Sequence, residues 1–297
     1  MSKVAAILYH AKMGIFVIVY SLVSLVFISS ILYSSEKLES IKGKVYFLDV
    51  GQGDSVLIIF SNGNRMLIDA GNVDGKAVDE IRKILPWYDR RIDIALGTHA
   101  DIDHVGGFTK VVQNFTVGLF LFSHLHTSKP VETFLFDSID RVHVATSTID
   151  RGAMISSGIK NDISSDHVNI LYPPRMMRMT SDKDTNLFSI VAMAYIRNKK
   201  YLLTGDAPRS VELELVFAST SASNLFSDLH AYVLKAGHHG SRTSTDPIFV
   251  QSISPTYAII SAGKNNRYGH PHVETLETFE KENIKILKTY DSGTIAF

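Results

Sequence analysis

Apolar and polar residues follow two different patterns along this chain. From Gly14 to Tyr33 the sequence is apolar and carries no charge. Such a stretch is about long enough, at roughly 1.5 Å per residue, to cross a bilayer core of about 30 Å as a helix. After residue 40 the pattern changes to short apolar runs separated by polar turns. We therefore expect an N-terminal tail and transmembrane anchor over residues 1–40, with the span at about 14–33, and a folded domain over residues 41–297.

The charges that flank the apolar segment predict its orientation. Lys3 and Lys12 precede it, whereas Glu36, Lys37 and Glu39 follow it. The positive-inside rule then places the N-terminus in the cytoplasm and the folded domain outside. Secretion after cleavage of a signal peptide is the alternative, because the first residues are basic and serines follow the apolar run. However, the run is long for a signal peptide and no A-x-A cleavage site is present.

The short apolar runs predict alternating strands and helices. Strands are expected at Val45–Val50, Ser55–Phe60, Arg65–Ala70, Ile92–Leu96, near Leu119, near Val142, at Val168–Tyr172, as a pair from Leu187 to Leu203, and at Ala231–Lys235, Tyr257–Ser261 and Ile284–Leu287. Helices are expected at Ala77–Leu85, Gly107–Phe115, Ser210–Ser219 and His272–Glu282. Since no internal repeat is present, this order predicts one α/β domain with an αββα arrangement, two mixed β-sheets between layers of helices.

Composition excludes several kinds of site. The 297 residues include no cysteine, so disulfides and thiolate zinc ligands are excluded, and any metal ion must bind His, Asp, Glu or Asn. Basic and acidic residues balance at 30 each, and after residue 40 there are 27 basic against 28 acidic residues. This balance gives no global attraction for nucleic acid. Aromatic and basic residues are also not interleaved as they are in proteins that bind single strands.

Metal-type ligands follow the apolar strands. Directly after Ile92–Leu96, four such residues occupy six positions, namely His99, Asp101, Asp103 and His104. This density is costly unless a cation binds, and two metal ions would use all four residues. Other apolar runs end in Asp69, in Asp206 and in the pair His238-His239. Because sites collect at strand ends, we expect these groups to meet, and hydrolysis by a metal-bridging hydroxide is the first activity to consider. The H-x-H pair His124 and His126 receives no role.

Six motifs carry a resemblance to a known family. The run HADIDHVGG resembles the H-x-H-x-D-H signature of the metallo-β-lactamase fold, with Asp101 in place of the second histidine. Together with FLDVGQGDS, MLIDAG, LLTGD, VLKAGHHGS and NNRYGHPH, it is similar to the hydrolase domain of ComEC-type DNA-uptake proteins over about residues 44–297. The resemblance implies a four-layer metallo-β-lactamase-like sandwich. ComEC-type proteins also carry a multi-span channel domain, to which the single predicted span does not correspond.

The resemblance also implies a set of metal ligands. These are His99 and Asp101 for a first ion, Asp103 and His104 for a second, Asp206 as a bridge, and His238 as the late histidine, with His239 and His270 as its competitors. Asn186 stands where the generic fold has a ligand histidine, within the Asn186-x-x-Ser189 pattern of ComEC-type domains, and we expect Asn186 and Ser189 beside the ligands. A carboxylate in place of an imidazole hardens the site, so two divalent ions, Zn²⁺ or Mn²⁺, are expected.

Further residues are candidates for chemistry near the metal ions. Asp69 is expected to hold a ligand histidine through a hydrogen bond. The candidate catalytic residues are Asp103, Lys235, His239 and His270. A lysine or histidine at the mouth of the site would neutralise charge on phosphate oxygens or protonate a leaving group. Alternatively, Lys235 is a strand-end residue whose ammonium reaches water, and His270 simply begins a helix.

The sequence thus predicts a membrane-anchored, extracytoplasmic, metal-dependent hydrolase. The ComEC-type resemblance implies a phosphodiesterase or nuclease that acts on DNA. A phosphoesterase for a small or cell-surface phosphoester is one alternative, since the charge balance offers no basic groove for long nucleic acid. A catalytically silent binding module is another, indicated only by Asn186 and opposed by the intact ligand set. Besides the substrate and the membrane, no partner is indicated.

Overall fold

The computed structural model describes residues 3–123, 127–158, 166–177, 184–220 and 228–297. His124 and His126 lie outside the described residues. Lys42–Phe297 forms a unit separate from the residues before it. The described residues before this unit form one helix, α1 (Lys3–Ile41), and its segment Lys12–Ile41 is long and apolar enough to cross a membrane.

The second unit contains two seven-stranded sheets within its described residues. Sheet A consists of β1 (Lys44–Phe47), β2 (Val56–Ile59), β3 (Arg65–Ile68), β4 (Arg91–Leu96), β5 (Thr116–Phe122), β6 (Ala145–Thr148) and β14 (Ile295–Ala296). Sheet B consists of β7 (Met154–Ser156), β8 (His167–Tyr172), β9 (Val191–Ile196), β10 (Lys199–Leu203), β11 (Val233–Lys235), β12 (Tyr257–Ile260) and β13 (Lys285–Lys288). Both sheets mix parallel and antiparallel pairs.

Helices cover the outer faces of the sheets. They are α2 (Lys76–Ile84), α3 (Ile102–Val105), α4 (Phe108–Asn114), α5 (Pro130–Arg141), α6 (Arg209–Thr220), α7 (Pro247–Ile253), α8 (Val273–Lys281) and α9 (Thr289–Ser292). One apolar core combines side chains of both sheets, for example Ile58 and Leu96 with Ala192. A second core packs sheet B against helical residues such as Phe249 and Phe279. This arrangement confirms the predicted αββα sandwich.

Parallel strands bring the polar strand ends together. In sheet A, β3 runs parallel to β4, and Asp69 and His99 follow them. In sheet B, β10 runs parallel to β11, and Asp206 and His238 follow these strands. Because the carboxyl ends of parallel strands share one edge of a sheet, the loops with the predicted ligands converge.

Two predicted elements differ from the structure. The strand expected near Val142 lies slightly further along the chain, because Val142 caps α5, which ends at Arg141, and the strand β6 begins only at Ala145. The strand pair expected from Leu187 is present as β9 and β10, but Leu187 itself lies in a 3₁₀ turn and β9 begins only at Val191. In both cases β-branched or apolar residues beside a strand resemble the strand itself, and packing fixes the boundary.

Candidate metal centre

The buried carboxylate of Asp206 lies at the centre of the converging loops. Four imidazole Nε2 atoms surround it, at 3.2 Å for His104, 3.5 Å for His239, 3.7 Å for His238 and 3.9 Å for His99. The Asp206 Oδ1 atom faces His104, and its Oδ2 atom faces the other three histidines. The structure therefore brings together four of the six predicted metal ligands, Asp206 with His99, His104 and His238, and adds the competitor His239.

Two further carboxylates complete the ligand-rich region. Asp103 Oδ2 lies 3.4 Å from His239 Nε2, and Asp101 Oδ2 lies 3.9 Å from His99 Nε2. Both carboxylates are partly exposed, whereas the imidazoles of His99 and His239 are buried. The two carboxylates thus lie on the partly exposed side of the buried imidazoles.

The second ring nitrogens of the buried histidines are held by the fold. His104 Nδ1 lies 2.8 Å from Asp69 Oδ2, and His239 Nδ1 lies 2.9 Å from the carbonyl oxygen of Ser261. His99 Nδ1 lies 3.1 Å from Ser189 Oγ. These contacts fix each ring and direct its Nε2 toward Asp206, as the outer partners of metal-binding histidines do.

The atoms that face Asp206 fit a metal-binding role. Within the described residues, the buried atoms His99 Nε2, His104 Nε2, His239 Nε2 and Asp206 Oδ1 have no hydrogen-bond partner. Buried polar atoms are normally satisfied, and an unpaired one costs about 1–3 kcal/mol. Imidazole and carboxylate donors directed at one point are the ligands that Zn²⁺ and Mn²⁺ accept. The residues present therefore fit bound divalent cations.

The His238-His239 turn has an unusual backbone. Both residues have positive φ, 48° for His238 and 56° for His239. Side chains rarely adopt this left-handed region, and it costs of the order of 1 kcal/mol or more per residue. The turn allows both imidazoles of a consecutive pair to approach Asp206, which an extended strand would prevent because neighbouring side chains point to opposite faces.

Lys235 does not lie at the mouth of the site, contrary to the position that we expected. Its side chain is buried, forms an ion pair with Asp54 and donates to the Gly205 carbonyl oxygen at 3.1 Å. Its ammonium lies 4.0 Å from Asp206 Oδ1. A buried ammonium behind two carboxylates holds them in place, so the alternative expectation, a lysine that reaches water, is also wrong.

Asp54 is a site residue to which we assigned no role from the sequence. Ligand-type atoms of Asp54, His104, Asp206 and His239 all lie within 4.8 Å of one another. Asp54 lies behind His239, because one of its oxygens pairs with Lys235 and the other lies 3.2 Å from His239 Nδ1. Asp54 stands in the motif FLDVGQGDS, just before β2, and this position beside a strand is the sequence signal that could have indicated it.

Lys129 and Thr185 are a second pair of residues that the sequence did not indicate. Lys129 Nζ and Thr185 Oγ1 both donate to Asp101 Oδ1, and Lys129 Nζ lies 2.9 Å from Thr185 Oγ1. The other oxygen of Asp101 is the one that faces His99. One carboxylate oxygen is thus fixed, while the second remains directed at the ligand-rich region.

Asn186 and His270 lie around this group. Asn186 Nδ2 approaches His238 Nδ1 at 3.3 Å, so Asn186 touches a histidine that itself faces Asp206. The ring of His270 lies 5.3 Å from that of His238 and 6.1 Å from that of His239. His270 is therefore a neighbour of the histidine cluster at its partly exposed side.

Burial and charge set the ionisation of these groups. Burial lowers the pKa of His99, and the neighbouring His104 lowers it further, so His99 stays neutral. Burial opposes the charge of Asp206, but His104 and His239 outweigh it and hold the pKa well below the usual range. Burial, His238 and His239 lower the pKa of His270 to about 4. Burial lowers the pKa of His104 and of His239, but Asp206 and the neighbouring carboxylates outweigh it and raise the pKa of His239 to about 9, so metal binding would have to release a proton from these two imidazoles.

Comparison with known proteins shows what this fold and part of its sequence are similar to. Residues 48–159 match the sequence profile of the Metallo-beta-lactamase superfamily. The chain has the metallo-β-lactamase fold. Two solved structures agree with this fold. YhfI from Bacillus subtilis has a TM-score of 0.53 and 10% identity, and the match covers 86% of this chain and 99% of YhfI. CmlA, a diiron β-hydroxylase from Streptomyces venezuelae, has a TM-score of 0.55 and 11% identity, and the match covers 86% of this chain and 53% of CmlA.

Curated relatives confirm the resemblance to ComEC-type proteins. The chain is 29% identical to ComE operon protein 3 of Bacillus subtilis over 274 residues, which is 87% of this chain and 33% of that protein. It is 27% identical to competence protein ComA of Neisseria gonorrhoeae, and the match covers 89% of this chain and 33% of ComA. It is 28% identical to recombination protein 2 of Haemophilus influenzae, and the match covers 84% of this chain and 28% of that protein. The chain spans about a third of the length of these relatives.

Proposed function

We propose that this protein is a membrane-anchored phosphodiesterase that uses two divalent metal ions, with DNA as its first candidate substrate. The observation that carries the proposal is the Asp206 carboxylate with four imidazole Nε2 atoms at 3.2–3.9 Å. Acidic and neutral donors in this density favour divalent cations, and two cations about 3.5–4 Å apart are the arrangement used for in-line displacement at phosphorus.

In this proposal Asp206 would be shared by the two ions. His99, Asp101 and His238 would hold the first ion, and Asp103, His104 and His239 would hold the second. This assignment uses both histidines of the consecutive pair, because both face Asp206 Oδ2. His238 then supplies the imidazole that the generic fold takes from the position of Asn186, and Asn186 supports it from behind.

The chain's own residues complete the chemistry. Bound divalent ions supply an ionised water near neutral pH. The His239 imidazole, whose Nε2 lies 3.4 Å from Asp103 Oδ2, lowers the pKa of the Asp103 carboxyl against the effect of burial, so this carboxylate is ionised and able to orient that water. His270 stays neutral beside His238, where it is positioned to exchange a proton with the leaving group. Lys235 neutralises Asp54 beneath the site and leaves Asp206 for the metal ions.

The relatives support DNA as the substrate to test first, because two of them are named as competence or ComE operon proteins. A small or cell-surface phosphoester is the second candidate, favoured by the balance of 27 basic and 28 acidic residues after residue 40. Long nucleic acid would need a local positive groove against that background.

The location of the enzyme is part of the proposal. The segment Lys12–Ile41 has a mean hydropathy of 2.6 over its most apolar window, which suits a membrane span. Lys3 before this segment and Lys12 at its first position favour a cytoplasmic N-terminus and an extracytoplasmic catalytic domain. Secretion after signal cleavage is the competing outcome, and the mass of the mature chain distinguishes the two.

The test uses the full chain in detergent, loaded with Mn²⁺ or Zn²⁺. Hydrolysis of bis-p-nitrophenyl phosphate, single-stranded DNA, double-stranded DNA and a lactam is measured for the natural chain, for Asp206→Asn and for the control Asp228→Asn, an exposed aspartate that pairs with Lys200. We expect diester turnover that Asp206→Asn abolishes and Asp228→Asn retains. Metal binding without turnover of any diester would overturn the proposal, and turnover of the small diester alone would favour the second candidate.

A further inference from the structure

The loop Pro86–Arg90 presents the chain's only tryptophan to solvent. The side chain of Trp87 is 81% exposed and that of Tyr88 is 46% exposed, with ring centroids 5.8 Å apart in an edge-to-face contact. The loop itself is fixed. Asp89 N donates to the Pro86 carbonyl oxygen at 2.9 Å, and the Asp89 carboxylate pairs with Arg65. The fold therefore holds two large aromatic rings in water.

A charged groove lies beside these rings. Its volume is about 360 Å³, and it is lined by Arg82, Pro86, Trp87, Asp89, Arg90 and Phe115. Arg82 donates to the amide oxygen of Asn114 at 2.7 Å, and Arg90 is exposed. Within the part of the chain that the structure describes, neither arginine forms an ion pair with a carboxylate, whereas Asp89 is already paired with Arg65. The groove therefore offers positive charge next to an aromatic surface.

The groove lies at a defined end of sheet A. The loop leads directly into β4 at Arg91, and the register of the sheet places Arg65 opposite Ile59 and Ile59 opposite Lys44. This is the end at which the chain enters the sheet, three residues after α1 ends at Ile41. The proposed metal ligands follow the opposite ends of β3 and β4.

We propose that Arg82, Trp87, Tyr88 and Arg90 form a docking surface for the headgroup layer of a membrane that contains anionic lipids. Tryptophan and tyrosine concentrate at the interface between lipid and water, and arginine binds phosphate groups. The proposed span α1 confines the surface near lipid, so even weak contacts are formed at high effective concentration. Docking through this end of sheet A directs the metal centre away from the lipid. The inference rests on the proposed membrane anchor and not on the hydrolytic activity.

The fluorescence of Trp87 can report on its own environment, because Trp87 is the only tryptophan in the sequence. The full chain is reconstituted into vesicles of phosphatidylcholine alone or of phosphatidylcholine with phosphatidylglycerol. Emission maximum, quenching by acrylamide and quenching by bromine-labelled lipid are measured, and flotation of the vesicles reports anchoring separately. In the vesicles with phosphatidylglycerol we expect emission at shorter wavelength, weaker quenching by acrylamide and clear quenching by the labelled lipid.

Charge variants test the role of the groove. Arg90→Gln should shift the equilibrium between docked and free Trp87 by about fivefold toward the free state, since one basic residue near an anionic surface contributes about that factor. The matched control is Arg175→Gln, an exposed arginine after β8. The proposed docking surface would be overturned if the protein floats with the vesicles and acrylamide quenches Trp87 equally in both vesicle types. A response equal in Arg90→Gln and Arg175→Gln would overturn the role of the groove. Failure to float would instead overturn the anchor.

Discussion

At the scale of single residues, the pair His238-His239 carries most of the proposed ligand assignment. Neighbouring residues with positive φ bring two imidazoles to the same carboxylate oxygen, at 3.7 and 3.5 Å. Their outer contacts differ, because His238 meets Asn186 and His239 meets Ser261. The sequence left open which of the two binds metal. The geometry supports one histidine for each ion.

Removal of each histidine should therefore remove a different metal ion. We expect His239→Ala and His238→Ala each to bind one ion fewer per chain at limiting metal. Diester turnover should fall by more than about 100-fold in each variant, which exceeds the effect of losing a residue that only hydrogen-bonds a ligand. His230→Ala, an exposed histidine away from the site, is the control. Metal content by mass spectrometry checks the prediction, and two ions in either variant would contradict the assignment.

Thr185 should act on metal binding without being a ligand. Its hydroxyl donates to Asp101 Oδ1 and helps leave the other oxygen free to face His99. Thr185→Val keeps the volume and removes the donor, so the affinity for the first ion should fall by about 10–100-fold. Thr278→Val, whose hydroxyl bonds only within α8, is the matched variant. Calorimetric titration with Mn²⁺ measures both, and equal affinities would refute the positioning role.

At the scale of elements, the loops that follow strands hold the site together through close backbone contacts. Gly53 has φ 125°, and a Cβ at this position would lie 2.1 Å from the carbonyl oxygen of Asp103. The neighbouring Asp54 N donates to that same oxygen at 3.2 Å. The FLDVGQGDS loop thus supports the loop with the metal ligands directly.

Gly53→Ala should displace Asp103 and lower diester turnover by about 100-fold, the effect of a misplacement of about 1 Å in a reacting group. Gly152→Ala is the control, since Gly152 also has positive φ, 92°, but open space around it. Both variants carry similar backbone strain, so only the first should lose activity. A similar loss in both, or in neither, would show that the contact with Asp103 is unimportant.

Glu212 joins α6 to the start of α7 and should make stability depend on pH. It accepts from the backbone N–H groups of Thr245 and Asp246 at 2.8 Å, and burial raises its pKa from 4.5 to about 7. A raised pKa means that the folded state holds the proton more tightly than the unfolded state. The stabilisation is complete below pH 4.5 and is lost as the pH rises through about 7.

Glu212→Gln should remove this pH dependence. Between the two pKa values, the free energy of unfolding of the natural chain should change by up to about 3 kcal/mol more than that of the variant. Urea unfolding of both proteins across this pH range measures the difference. Parallel pH profiles would contradict the prediction.

The sequence predicted the elements whose patterns are local. Apolar strands followed by His99 or Asp206 were found, because strand burial and the polar strand end lie within a few residues. The helix α5 was missed, although Leu135 and Ile139 have helical spacing, since their burial against the sheet is not visible locally. Asp54 received no role because its partner Lys235 lies on the other sheet. Lys129 and Thr185 were missed for the same reason, as Asp101 is distant from both in sequence.

At the scale of the whole molecule, two surfaces lie at opposite ends of sheet A. One end receives the chain after α1 and carries Trp87, and the other carries Asp69 and His99. In our proposal this separation leaves the metal centre open to substrate while the other end contacts lipid. The metal centre is the central claim, because the phosphodiesterase proposal and the ligand assignment both depend on it.

The most direct test is the rate of bis-p-nitrophenyl phosphate hydrolysis by the metal-free full chain as Mn²⁺ is added. If Asp206 bridges two ions, the rate should stay low during the first equivalent and rise steeply during the second. Full activity with one equivalent would contradict the two-metal site. Absence of turnover at every metal content, in protein that binds both ions, would contradict the proposed phosphodiesterase.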